Sequence, residues 1–150
     1  MKRSHQENIM NQQKKLSPEQ MNQHAAGYLP HHLGIVITEI GDGEVKAEFL
    51  ISKSHVAPNG FLHAGSVVSL ADTAAGYGCM THLPEDAASF TTIELKSNFI
   101  GTARQGTVQC LAKAIHLGRT TQVWDATVWE KDSGKAIALF RCTQMILFPK

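Results

Sequence analysis

From Ser66 to Met80 the chain carries one formally charged side chain, Asp72, among alanines, glycines and small polar or apolar residues. A helix made of these residues can be packed against on almost every side, so the fold has to supply partners around it. A lone carboxylate in such a helix is costly to desolvate unless it is hydrogen-bonded or used. His63-Ala64-Gly65 opens the segment, which joins a candidate helix entrance to a candidate reactive acid. This placement points to an active site more than to a surface. The plainer alternative is a structural carboxylate satisfied by backbone or hydroxyl donors.

At 150 residues, 43% hydrophobic and 18% charged, the chain has the make-up of a globular protein able to bury a core without staples. Residues 17–150 are expected to form one domain behind a flexible, polar tail over residues 1–16. The formal net charge of +1 gives no general attraction to nucleic acid or acidic membranes, and neither is expected as a partner. Cys79, Cys110 and Cys142 are widely spaced and lie in apolar runs, which suits buried thiols in a reducing compartment. The basic residues near the N-terminus have no apolar block behind them, and no stretch approaches the roughly 20 apolar residues of a membrane span. The cytoplasm is the expected location.

Ser17-Pro18-Glu19-Gln20 reads as a helix start, with Ser17 as N-cap and Gln20 completing a capping box. That helix is predicted to run to about Tyr28 and to stop before Pro30. Strands are predicted over Gly34–Ile40 and Val45–Ile51, with Gly41-Asp42-Gly43-Glu44 as the turn. A loop through His55-Val56-Ala57-Pro58-Asn59-Gly60 leads into a long helix at about Ala64–His82. Four more strands follow: Ile93–Phe99, Thr107–Ile115, Thr121–Glu130 and Lys135–Phe148. Trp124 and Trp129 fall on opposite faces of one of them, so at least one belongs to a core or interface. The class is therefore α+β, an antiparallel sheet of about five to six strands around one long central helix. One helix covers one face of a sheet, so an open edge or face invites a second subunit.

This layout, with His63-Ala64-Gly65-Ser66-Val67-Val68-Ser69-Leu70-Ala71-Asp72-Thr73-Ala74 at its centre, resembles the hotdog-fold acyl-CoA thioesterases, in particular the phenylacetate-degradation (PaaI-type) branch. The resemblance covers roughly residues 28–148. Ile93-Glu94-Leu95-Lys96-Ser97-Asn98-Phe99-Ile100 and His116-Leu117-Gly118-Arg119-Thr120-Thr121 agree with it. It implies hydrolysis of an aryl- or short/medium-chain acyl-CoA, with coenzyme A as part of the substrate and no separate cofactor. It also implies a homodimer, commonly doubled to a homotetramer.

Thioester hydrolysis needs donors for the oxyanion and a group that delivers or activates the attacking oxygen. The first turn of a helix offers unpaired N–H groups and the positive end of its dipole, so the N–H groups of Ala64 and Gly65 are candidate donors. The resemblance assigns that role to Ala64. Asp72 is then nucleophile or general base. Eight residues at about 1.5 Å each put Asp72 roughly 12 Å from Ala64 along one helix, whereas reacting groups must come within about 3–3.5 Å. Two antiparallel copies across a dimer interface can pair one subunit's Ala64 with the other's Asp72.

Three positions depart from the family pattern: Ala64 stands where glycine is usual, Ala57 where many members carry Asn or Gln, and Gly76 where some carry Ser or Thr. Asn59 could replace the missing amide if its loop shifts. Thr92 matches a hydroxyl that other branches use to orient water, and His63 is expected to orient the helix start rather than act as acid or base. Arg104 and Arg119, the latter in the Gly118-Arg119-Thr120 turn, are candidate phosphate contacts, with solvated turn residues as the plain alternative. The eight histidines show no metal-ligand spacing, and no metal is expected. Two other functions compete. An acyl-CoA-binding module without catalysis is suggested by Ala57, Ala64 and Gly76. A hotdog dehydratase ranks last, since its proline-rich loop around the histidine is missing.

Overall fold

The computed structural model describes residues 16–150, so the expected flexible tail lies, but for Leu16, outside the described residues. Helix α1 (Pro18–His24) starts as read from the sequence: Ser17 accepts the Gln20 N–H while Gln20 takes the Ser17 N–H. It ends four residues earlier than predicted, and Gly27, at φ +84°, turns the chain. Pro30 does not close a helix but sits in the first turn of a second short one, α2 (Leu29–His32). A proline is tolerated there because its missing N–H would have had no helical partner.

The six strands are β1 (Val36–Gly41), β2 (Glu44–Leu50), β3 (Ser89–Phe99), β4 (Thr107–Leu117), β5 (Thr121–Glu130) and β6 (Ala136–Leu147). They form one sheet in the order β1-β2-β4-β5-β6-β3, antiparallel throughout. Helix α3 (Ala64–Thr81) lies on one face, against β2, β4 and β5 among others. Val67, Leu70, Ala71, Ala74, Ala75, Gly78 and Cys79 make its buried stripe, and nothing from Ser66 to Thr81 is exposed. The near absence of charge in this segment fits a helix that is buried along one stripe and partly covered on the rest. Gly78 sets how close the helix approaches: a Cβ there would lie 2.6 Å from the indole of Trp124, which is fully buried on β5.

The two sheet edges are treated differently. β1 is short and bulged, and the Asn22 side chain of α1 clamps its backbone, accepting from Ile37 N–H (2.8 Å) and donating to Ile37 C=O (2.9 Å). That is a blunted edge. β3 runs for 11 residues with only β6 beside it. Its register with β6 puts Leu95, Ser97 and Phe99 opposite Cys142, Phe140 and Ala138, the helix-side face. Yet Leu95 and Phe99 are 43% and 47% exposed.

Candidate active site

A 3₁₀ turn (Lys53–His55) and a tight loop bring the chain to the entrance of α3. His55 anchors them. Its ring stacks on Phe49 with centroids 4.2 Å apart, Nδ1 accepts the Ser52 N–H, and Nε2 lies 2.6 Å from the Leu33 carbonyl. Its own carbonyl takes the His63 N–H and the Ser66 hydroxyl. His63 is the N-cap of α3, with Nδ1 accepting from Gly65 N–H at 2.8 Å. Ser66 N–H bonds to His63 C=O. Of the first N–H groups, Gly65's is therefore taken by imidazole, while Ala64's, at an exposed residue, has no partner among the described residues. The helix entrance offers one backbone donor.

Asp72 lies two turns on, half-buried, with Oδ1 shut away from solvent and without a hydrogen-bond partner. Loss of solvation holds its carboxyl above the usual carboxylate range. Its charge also reaches the Cys142 thiol, which burial first and Asp72 second push up to about 12. Gly76, one turn further along α3, faces the Phe90 ring of β3, which puts Asp72 on the flank of the helix nearer that strand. Cys79 and Cys110 are likewise buried, unbridged, and pushed up to about 12 by desolvation.

Thr92, on β3, donates its hydroxyl to Gln144 Oε1 at 2.8 Å. A bulge between Thr92 and Glu94 turns the strand there, a device frequent beside active sites. Further along the same flank of α3, Thr73, Gly76, Tyr77 and Met80 face Pro30 and Phe90 across a cavity of about 220 Å³. Gly76 contributes room: a Cβ on it would stand 3.7 Å from the Phe90 ring.

The remaining candidates do not converge in one protomer. Asn59 Oδ1 accepts the Phe61 N–H within its own loop. Arg104 lies over the Phe61 ring, 4.7 Å from its centroid, near the start of α3. Arg119 is bidentate to Asp86, beyond the other end of α3, and lies over Phe148. Gly118 serves the turn, since a Cβ would meet His116 Nε2 at 2.5 Å and Thr121 C=O at 2.9 Å. Thr120 C=O accepts from Ile146 N–H. Among the described residues, no cluster of three or more His, Cys, Asp or Glu is placed to hold a metal. The sequence reading missed Gln144, Phe90 and Pro30. An amide in the alternating core run Phe140, Cys142, Gln144, Ile146 was the signal for the first.

Residues 59–137, which hold the α3 entrance, Asp72 and Thr92, match the profile of the Thioesterase superfamily. The chain belongs to that superfamily and is a hotdog-fold thioesterase. It is 30% identical over 137 residues to the 1,4-dihydroxy-2-naphthoyl-CoA hydrolase of Escherichia coli, covering 89% of this chain and 97% of the relative. A thioesterase of Pseudomonas aeruginosa, solved as a mutant, superposes with a TM-score of 0.85 at 29% identity over 90% of this chain and 96% of that one. The Escherichia coli PaaI protein of the phenylacetic acid degradation operon shares the fold, with a TM-score of 0.73 at 24% identity over 85% and 91% of the two chains. No helix among the described residues is long and apolar enough to cross a membrane.

Proposed function

We propose that this thioesterase hydrolyses an aryl- or short/medium-chain acyl-CoA to the free acid and coenzyme A, as a cytoplasmic homodimer or a tetramer of two dimers. The observation that carries this reading is the half-buried Asp72, one carboxylate oxygen of which is shut away without a hydrogen-bond partner among the described residues, on the same helix as an Ala64 N–H that none of them accepts. The two lie about 12 Å apart along the helix axis, so neither can complete the other's site alone. Pairing of two β3 strands would run their helices antiparallel and bring each Asp72 toward its mate's helix entrance. It would also cover Leu95 and Phe99 and offer a neighbour to the Ser97 hydroxyl, which is buried without a partner. In the same arrangement, one protomer's Arg119 end lies beside its mate's Arg104 end, which suits a long substrate with phosphates at its far end.

Asp72 acts as general base in this scheme, its raised basicity suited to the task. Water adds its oxygen to the thioester carbon and gives one proton to Asp72, while the Ala64 N–H holds the oxyanion. Collapse of the tetrahedral intermediate breaks the C–S bond. The departing coenzyme A thiolate takes the proton back from Asp72.

The cavity bounded by Gly76, Met80 and Phe90 takes the acyl group. It is an open groove of about 220 Å³, lined by Pro30, Thr73 and Tyr77 as well. It accommodates a ring with a short substituent, or an aliphatic chain of similar bulk. Purified protein assayed against aliphatic and aromatic acyl-CoAs for release of the coenzyme A thiol tests the reading. Turnover is expected for at least one ring-bearing substrate, and tight binding without release would make the protein an acyl-CoA-binding module instead. Gly76→Leu fills the space facing Phe90. It is expected to lower kcat/KM for the ring-bearing substrate by about 10–200-fold while sparing acetyl-CoA-sized substrates.

A further inference from the structure

Gln144 has no surface and no role yet. Its side chain is fully buried on β6, and register places it between Gln122 of β5 and Thr92 of β3. Gln122 is committed elsewhere: it donates to His82 C=O and accepts from Trp124 Nε1, both at 2.9 Å. Gln144 instead turns toward the site. Its Oε1 accepts the Thr92 hydroxyl at 2.8 Å, and its Nε2 donates to Cys142 Sγ at 3.4 Å, the thiol that feels the Asp72 charge. A polar row thus runs Thr92, Gln144, Cys142 across β3 and β6 on the helix-side face, with Asp72 of α3 near enough for its charge to reach the thiol.

We propose that Gln144 is a positioning residue for hydrolysis: by taking the only proton of the Thr92 hydroxyl, it leaves Thr92 presenting lone pairs to the attacking water. This rests on the thioesterase mechanism proposed above. A water between Asp72 and Thr92 then donates one hydrogen bond to each, and both lone pairs of its oxygen stay free, one of them to attack the thioester carbon. A Thr92 hydroxyl free to rotate would donate to that oxygen instead, which ties up one of its two lone pairs, draws electron density from the nucleophile and removes the acceptor that orients it. The bulge after Thr92 fits the same purpose, since it sets where the Thr92 side chain aims. An apolar residue at position 144 would pack as well and avoid desolvating an amide, so packing alone does not call for glutamine.

The test is a double-mutant cycle on the purified full-length protein, read as kcat and KM on a substrate that the wild type turns over. Gln144→Met removes the amide at similar volume and is expected to lower kcat about tenfold with KM nearly unchanged. Thr92→Val should give a comparable loss, and Thr92→Ser, which keeps the hydroxyl, should recover most of it. The Gln144→Met/Thr92→Val pair should lose no more than Thr92→Val alone, because the two residues act through one hydrogen bond. Losses that multiply, or a Gln144→Met enzyme with wild-type kcat, overturn the positioning role while leaving the thioesterase reading standing. If Gln144→Met does not fold, Gln144→Glu keeps an acceptor of the same length. Thr92→Val must then still cost activity in that background, and its failure to do so overturns the role. Absence of wild-type turnover on every acyl-CoA overturns both readings.

Discussion

Asp72→Asn is expected to lower kcat by about 10²–10⁴-fold, the range carried by a positioned general base, and at neutral pH to stabilise the fold as well. The second half follows from burial. Desolvation raises the carboxyl above its ordinary value, so between that value and the raised one the folded state binds more protons than the unfolded state. Stability contributed by protonated Asp72 is therefore present at low pH and is lost as pH rises through the folded value. At pH 7 wild type bears this cost in full, and an uncharged amide does not. Asp72→Asn should raise Tm by roughly 2–4 °C, the shift that about 1 kcal/mol produces in a chain of this size. The gain should shrink as pH falls into the ordinary carboxylate range. Calorimetry across pH, alongside kinetics, checks both halves. Wild-type-like turnover by the variant would remove Asp72 from the chemistry, and a lower Tm at pH 7 would show that the carboxylate is satisfied after all.

Charging the β3 edge should abolish activity without touching a reacting group. Leu95→Lys with Phe99→Lys places like charges where the exposed apolar side chains of one protomer await a mate, and an antiparallel pairing sets them against each other. The protein should then sediment as a monomer with its strands retained by far-UV circular dichroism. Its kcat/KM should fall by 10³-fold or more, on the order of losing an oxyanion donor together with proximity. A fully active monomer would refute the shared site outright.

Much of the architecture could be read from the residues because each signal had one physical meaning. Ser17, Pro18 and Gln20 together could hardly mark anything but a helix start, and the near-uncharged run after His63 could only be a helix enclosed by its neighbours. The strand Thr121–Glu130 has the bounds expected from the breaks at Leu117-Gly118-Arg119 and Lys131-Asp132-Ser133-Gly134. β3 begins four residues before the predicted Ile93 because the bulge after Thr92 breaks the alternation on which the reading relied. Pro30 was misread because a proline that ends one helix and a proline that begins another look alike without the turn at Gly27. In the site, the His63 cap and the Asp72 environment followed from helix rules. The taking of Gly65 N–H by His63, the Arg119–Asp86 pair and the Thr92–Gln144 bond join residues through side-chain geometry or across strands, and no local pattern encodes them.

The three cysteines carry a practical corollary. Sulfur reacts with alkylating agents and disulfide reagents as the thiolate, and with acidities pushed to about 12 only about one in ten thousand would be ionised at pH 8. All three are also walled in by the sheet and helix. The native enzyme should therefore be nearly silent toward electrophiles, so that a chromogenic disulfide reagent would record product without background from its own catalyst.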